Sequence, residues 1–331
     1  MHTTRVTASE FRNAFGAVIM ALCCTVVSPA LAQQFPSQPV RALNVMGAGG
    51  TSDVFMRALG EELQKRWGQP VVSENRPGGG TTIGARACAQ APKDGHTICI
   101  FPVETVSYIP QTMKSPGYDA DTDFEPITLA FFNPQVLVAT ASLGIGTLDD
   151  LARLSKARPG TLSFFSASTA LQVFMERWKK STGADVVWVA AKSGSEAVNG
   201  VLAGSTPVAF FGIGNFLQYI QTGMVKALAV AGDRRSPLLP DVPSLSDLGF
   251  QDRLPRIWFG LFAPGGTPRP IVERLYRDIA AIGNDPEFAR KRLTDVALEP
   301  VFSTPDAFAR YLKEDRALTA PIVKEAGLAQ N

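Results

Sequence analysis

The sequence predicts a two-lobed α/β protein, and three observations predict it. Short β-prone runs alternate with helical patterns along almost the whole chain. The alternation stops and restarts near residue 136. Glycine-rich loops join strands to the helices that follow them. Strands separated by helices imply a mostly parallel sheet covered on both faces. At 331 residues and 45% hydrophobic content the chain can bury a large core, and at that size it should divide into two domains.

The elements follow in order. Arg41–Met46 is a short strand stopped by Gly47-Ala48-Gly49-Gly50, and Thr51-Ser52-Asp53 then offers capping side chains. Val54, Phe55, Ala58, Leu59, Leu63 and Trp67 recur at helical spacing. Gly68-Gln69-Pro70 ends that helix, Val71–Ser73 is the next strand, and Ile83–Gln90 is helical beyond the loop Asn75–Gly80. Thr97–Phe101 is a buried strand. A second sheet is expected from Val136–Ala139, Thr161–Phe165, Val186–Val189, Val208–Phe211 and Ala227–Ala231. Ile257–Phe262 leads through Gly265-Gly266-Thr267 into a helix from Pro270 to Ile282, echoing the first strand–glycine–helix unit.

The N-terminus reads as an export signal. Arg5 and Arg12 are followed by an uncharged apolar run from Ala14 to Val27 and the small-residue sequence Ala30-Leu31-Ala32, the layout of a signal peptide cleaved after Ala32. A run of about 14 residues is shorter than the roughly 20 that span hydrocarbon. Arg5, Arg12 and Glu10 leave with the segment, so the totals of 32 basic and 30 acidic residues become 30 and 29. That near-neutral balance carries no basic footprint for nucleic acid. Cys88 and Cys99 remain. They either bridge in an oxidising compartment or sit as two separately buried apolar residues, which is the favoured expectation.

Enzymatic constellations are thin. After cleavage His96 is the only histidine, placed in a turn behind Asp94-Gly95, so no histidine-rich metal site is possible. No H-E-x-x-H and no G-x-S-x-G occurs. No G-x-x-x-x-G-K-[ST] is present, and Ser52 stands where a dinucleotide fingerprint needs Gly or Ala. No catalytic residue, cofactor or metal is assigned. The glycine loops carry the chemical suggestion: a strand ending in glycines before a helix exposes backbone N–H groups, which make an anion site. The dipole alone contributes about 0.3–1 kcal/mol, so further donors are needed. The plainer reading is that the glycines only turn the chain.

Several segments together resemble a known family. Phe35-Pro36-Ser37-Gln38-Pro39-Val40, Gly49–Asp53, Gly68–Val72, Glu74-Asn75-Arg76-Pro77-Gly78, Pro92–Gly95, Phe124–Ile127, Arg158-Pro159-Gly160, Leu239–Ser244 and Trp258–Pro268 are similar to the tripartite tricarboxylate transporter solute-binding proteins, the Bug-type receptors. The resemblance runs in order through the whole mature chain. It implies a periplasmic-binding-protein type II-like fold, with residues 33–135 and 250–331 as one lobe and 136–249 as the other. It also implies a small carboxylate held between the lobes, a membrane permease as partner, a periplasmic location and a monomer. A ligand sensor or orphan receptor on the same fold, and after these an exported enzyme, are the alternative functions.

Carried onto this chain, the family pattern implies a ligand loop of Gly47, Ala48, Gly49, Gly50, Thr51, Ser52 and Asp53, joined by Glu104 and Thr105 after the Thr97–Phe101 strand. From the second lobe it implies Phe165, Ser166, Ala167, Ser168 and Thr169, then Lys192 and Ser193, then Phe211 and Gly212. This chain departs from the pattern. Met46-Gly47-Ala48 replaces an aromatic residue and prolines, and Phe165, Ala191 and Phe211 stand where Gly, Tyr and Asp are common. The exchange points to a ligand with an apolar or aromatic body, if those rings face the cleft. If Phe165 and Phe211 turn into the domain core, the lining is ordinary. Glu104, facing the cleft, would repel a second carboxylate or invite a cation.

Overall fold

The computed structural model describes residues 35–191, 193–250 and 255–329. The expected signal segment lies outside them. Two sheets organise the chain. The first contains β1 (Val40–Asn44), β2 (Val71–Asn75), β3 (Thr97–Pro102), β4 (Phe124–Phe132), β10 (Trp258–Pro264) and β11 (Glu299–Pro300), in the order β11-β4-β10-β3-β1-β2. The second contains β5 (Gln135–Thr140), β6 (Ser163–Ser166), β7 (Val187–Ala190), β8 (Val208–Gly212) and β9 (Val225–Val230), in the order β7-β6-β8-β5-β9.

Both sheets are mostly parallel by strand direction. β1 pairs parallel with β2 and β3, and β10 lies antiparallel between β3 and β4. In the second sheet only β5 runs against its neighbours. The reversed strands β5 and β10 are the first strands formed after the chain passes from one sheet to the other. The strand–glycine–helix echo in the sequence is therefore not a structural repeat, because β10 runs opposite to β1.

Helices cover the sheets: α1 (Thr51–Trp67), α2 (Thr82–Ala89), α3 (Ile109–Thr112), α4 (Leu148–Ala157), α5 (Thr169–Thr182), α6 (Gly194–Ala203), α7 (Ile213–Gln221), α8 (Arg269–Gly283), α9 (Pro286–Arg292) and α10 (Pro305–Ala326). Their sequences explain their limits. α1 buries Phe55, Met56, Leu59 and Leu63 on one face and stops at Gly68, whose φ of 67° suits a left-handed C-terminal cap. α4 opens with a capping box between Thr147 and Asp150. The polypeptide passes between sheets at 132–135 and again within 231–257. The two crossings are tied by Asn133 N–H to Ile257 O (2.8 Å) and Ala231 N–H to Gln135 O (2.8 Å).

The favoured expectation for the cysteines is corrected. Cys88 at the end of α2 and Cys99 in β3 form a disulfide, with Cα atoms 6.3 Å apart. Both are fully buried, so the burial expected of them holds, but in a bridge. The capping expectation for α1 also changes. Gly50 is the N-cap and no side chain caps the helix; instead the Asp53 carboxylate reaches back to accept the Gly49 N–H at 2.8 Å.

Candidate functional site

A cavity of about 550 Å³ opens between the two sheets, and the first turns of α1, α5, α6 and α7 border it. Each of these helices follows the C-terminal end of a strand, where open α/β sheets receive ligands. Their starts differ. α5 is capped by Ser168 Oγ, which accepts the Leu171 N–H, and α6 by Ser193 Oγ, which accepts the Glu196 N–H. α1 and α7 begin at Gly50 and Gly212 with no side-chain cap. The Ile213 N–H of α7 is spent on Pro134 O at 2.9 Å. The first N–H groups of α1, at Thr51 and Ser52, have no intrahelical acceptor.

The loop that presents α1 is held from below. Gly49 has φ 77°, a left-handed conformation that a side chain would strain. Its N–H goes to Asp53, which also takes the Arg57 guanidinium at 3.1 Å. Burial would raise the Asp53 carboxyl, but the Gly49 N–H, Arg57 and Asn75 outweigh it and hold it below the usual carboxylate range. Asn44, at the end of β1, accepts the Met46 N–H (3.0 Å) and the Ser52 hydroxyl (3.1 Å) on its Oδ1. Its Nδ2 is buried without a hydrogen-bond partner. Sequence reasoning passed over Asn44, although a signal existed: a polar residue ending an apolar strand before a glycine loop.

The structure gathers most of the sequence-predicted residues around the cavity. Gly47, Ala48, Gly49, Gly50, Thr51 and Ser52 line it from the first lobe, with Glu104. Ala167, Ser168, Ser193, Phe211 and Gly212 line it from the second. Five others do not border it. Asp53 braces the loop from behind. Thr105 is fully buried, its hydroxyl 2.8 Å from that of Thr81. Ser166 shapes its own turn by accepting the Ser168 N–H at 3.1 Å. Thr169 is a half-buried first residue of α5. Phe165 turns into the second-lobe core, its ring packed against Gly200 with Val198 and Val201 nearby. The reason is placement: Phe165 lies inside β6 with its ring on the face that α6 covers, whereas Phe211, next to the end of β8, borders the cleft. Lys192 lies outside the described residues.

Residues not foreseen also line the cavity: Asn133 and Gln135 at the crossing, Asn215 on α7, and the apolar Phe259, Val296 and Leu298. Two of the contacts between the lobes lie beside it. The Ser168 hydroxyl donates to Glu104 Oε1. At Gly214 a Cβ would stand 2.6 Å from Val296 O, so only glycine lets α7 approach the first lobe this closely. Glu104 is buried, and burial pushes its carboxyl up; the Ser168 hydrogen bond pulls it partly back and nearby Asp315 pushes it further. His96 keeps its place in a turn, but its ring is largely covered and its Nδ1 lies 3.4 Å from Asp94.

Comparisons with known proteins agree with this architecture. The family model for the tripartite tricarboxylate transporter family receptor matches residues 55–328. Protein BugT of Bordetella pertussis is 30% identical over 308 residues, covering 91% of this chain and 93% of that protein. The structure of periplasmic binding protein BugD is 30% identical, with a TM-score of 0.80 over 90% of this chain and 100% of its own. MatC from Rhodopseudomonas palustris, solved with bound malate, is 27% identical with a TM-score of 0.78 over 87% and 100%. Another R. palustris protein, solved with adipate, is 26% identical with a TM-score of 0.82 over 89% and 99%. The relatives are solute-binding proteins rather than enzymes, and their fold is the two-lobed α/β architecture described above. The chain belongs to the tripartite tricarboxylate transporter receptor family, whose Bug-type members are periplasmic solute-binding receptors.

Proposed function

We propose that this chain is an exported receptor that captures a small carboxylate with an apolar or aromatic body and delivers it to the membrane permease of a tripartite tricarboxylate-type transporter. The observation that carries the reading is the uncapped start of α1, whose N–H groups at Thr51 and Ser52 border a cavity flanked by Phe211, Phe259, Val296 and Leu298. The carboxylate rests against Gly49–Ser52, and the ring or alkyl body lies toward the apolar side. Malate and adipate in the related structures support the anionic end. The Cys88–Cys99 bridge supports an oxidising compartment and so the cleaved, exported form beginning at Gln33.

In this reading residues 33–135 and 250–331 move as one lobe and 136–249 as the other, about the tied crossings near Asn133 and Ile257. The receptor works as a monomer. Ligand favours the closed form, because only closure brings both lobes against it. A thermal-shift screen of the purified mature protein against alkyl, aromatic and hydroxylated acids tests the reading. A true ligand at about 100 times its dissociation constant adds about 2.7 kcal/mol of stability. Stabilisation by apolar acids is the expected result, and stabilisation only by sugars, amines or amino acids would refute it.

A further inference from the structure

Glu104 is an acid on the wall of a cavity that receives an anion. It opens the turn Glu104–Tyr108 after β3, is only 8% exposed, and takes the hydroxyl of Ser168 from the other lobe. Ser168 is the N-cap of α5, so a carboxylate of the protein itself lies at the start of that helix. Among the described lining residues Glu104 is the only acid and Arg292 the only base. Arg292 is the exposed last residue of α9. A ligand's second carboxylate would therefore find the hydroxyl donor at the start of α5 already taken, because Ser168 Oγ–H is held by Glu104.

We propose that Glu104 stands in for a second ligand carboxylate at the start of α5 and thereby restricts the cleft to monocarboxylates. The proposal rests on the carboxylate reading above. Neutral or ionised, Glu104 occupies the Ser168 hydroxyl; ionised, it also repels a ligand charge in the same 550 Å³ space. Two like charges about 8 Å apart at an effective dielectric constant near 20 correspond to roughly 30-fold in affinity. The sequence pattern alone could not separate this role from recognition of a cation. The Glu104–Ser168 bond does, because it commits the carboxylate to the protein.

Calorimetry on the mature protein with matched pairs, hexanoate against adipate and benzoate against terephthalate, tests the proposal. The wild type should bind the monoacid of at least one pair about 10-fold or more tightly than its diacid, as expected when a buried polar group lacks its partner. Glu104→Ser frees the start of α5 and should bring that ratio to within about threefold. Glu104→Gln keeps the shape, guards against loss of folding in the Ser variant, and should narrow the ratio by up to about 30-fold through charge alone. A wild type that binds diacids as tightly as monoacids, or a ratio unchanged in both variants, would overturn the proposal while leaving the carboxylate reading in place. Binding of no acid of any pair would contradict that reading, and the proposal with it.

Discussion

The starts of α1 and α5 face the same cavity from opposite lobes, and they are built differently. α1 begins at Gly50 with no side-chain cap, so its first N–H groups remain available. α5 begins at Ser168, whose Oγ accepts the Leu171 N–H and donates to Glu104. One helix start is open to an outside anion, and the other is closed by the protein's own groups. On the proposed reading, the difference teaches that the first lobe supplies the charge recognition and the second supplies shape.

The largest expected effect concerns the stability of the first lobe, which holds the Cys88–Cys99 bridge. Replacing both cysteines by serine opens a loop of sequence separation 11 and should cost about 3 kcal/mol. Hydrogen exchange should show α2 and β3 losing protection while β6 and β8 keep theirs; equal loss in both sheets would contradict the assignment to one lobe.

Asn44→Ala comes next. It strips the acceptor from the buried Met46 N–H and Ser52 hydroxyl, so stability should fall by about 2 kcal/mol and carboxylate affinity by about 10-fold. Unchanged affinity, measured by calorimetry, would mean that the loop needs no brace. Phe211→Ala probes the opposite wall. Its half-buried ring lines the cavity, so affinity for an aromatic acid should drop about fivefold while acetate is indifferent. An equal loss for both acids would place Phe211 in the fold rather than against the ligand.

The fold was largely legible because most of its strands are short apolar, β-prone runs with helical spacing between them. All five strands of the second sheet lie where Val136, Thr161, Val186, Val208 and Ala227 open such runs. The α1 loop was legible because glycines at a strand end mark a turn, and the helix after it fixes the direction of the N–H groups. What stayed hidden depends on contacts between distant residues. Glu104 and Asp315 become neighbours only because α10 packs on the 104–108 turn. The direction of Phe165 depends on α6 covering its face of β6. Asp53 resembled a cap, yet it serves the loop by reaching back to Gly49.

The smallest effect is on pH dependence. Burial pushes the Glu104 and Asp315 carboxyls above the usual range. The groups around Glu104 are Tyr108 on its own turn, Ser168 on α5 and Asp315 on α10. The folded state holds protons on these acids at pH values where the unfolded chain has released them. The stability they contribute is thus full below an ordinary carboxyl value near 4.5 and is lost as pH rises through the folded values. Melting temperature should decline more between about pH 5 and about pH 8 in the wild type than in Glu104→Gln. Parallel curves would show that Glu104 does not titrate in that window.

The most direct test of the central claim, that the open start of α1 receives a carboxylate, is calorimetry of benzoate against benzamide on the wild type, on Thr51→Val and on Thr51→Pro. Proline is tolerated at the first helical position and removes the N–H there together with the threonine hydroxyl, so its effect is taken relative to Thr51→Val, which keeps the N–H. The account predicts that the wild type prefers benzoate by about 30-fold or more, and that Thr51→Pro loses about 10-fold for benzoate relative to Thr51→Val with benzamide little changed. Equal affinity for acid and amide in the wild type, or a Thr51→Pro variant that binds benzoate as tightly as Thr51→Val does, would contradict it.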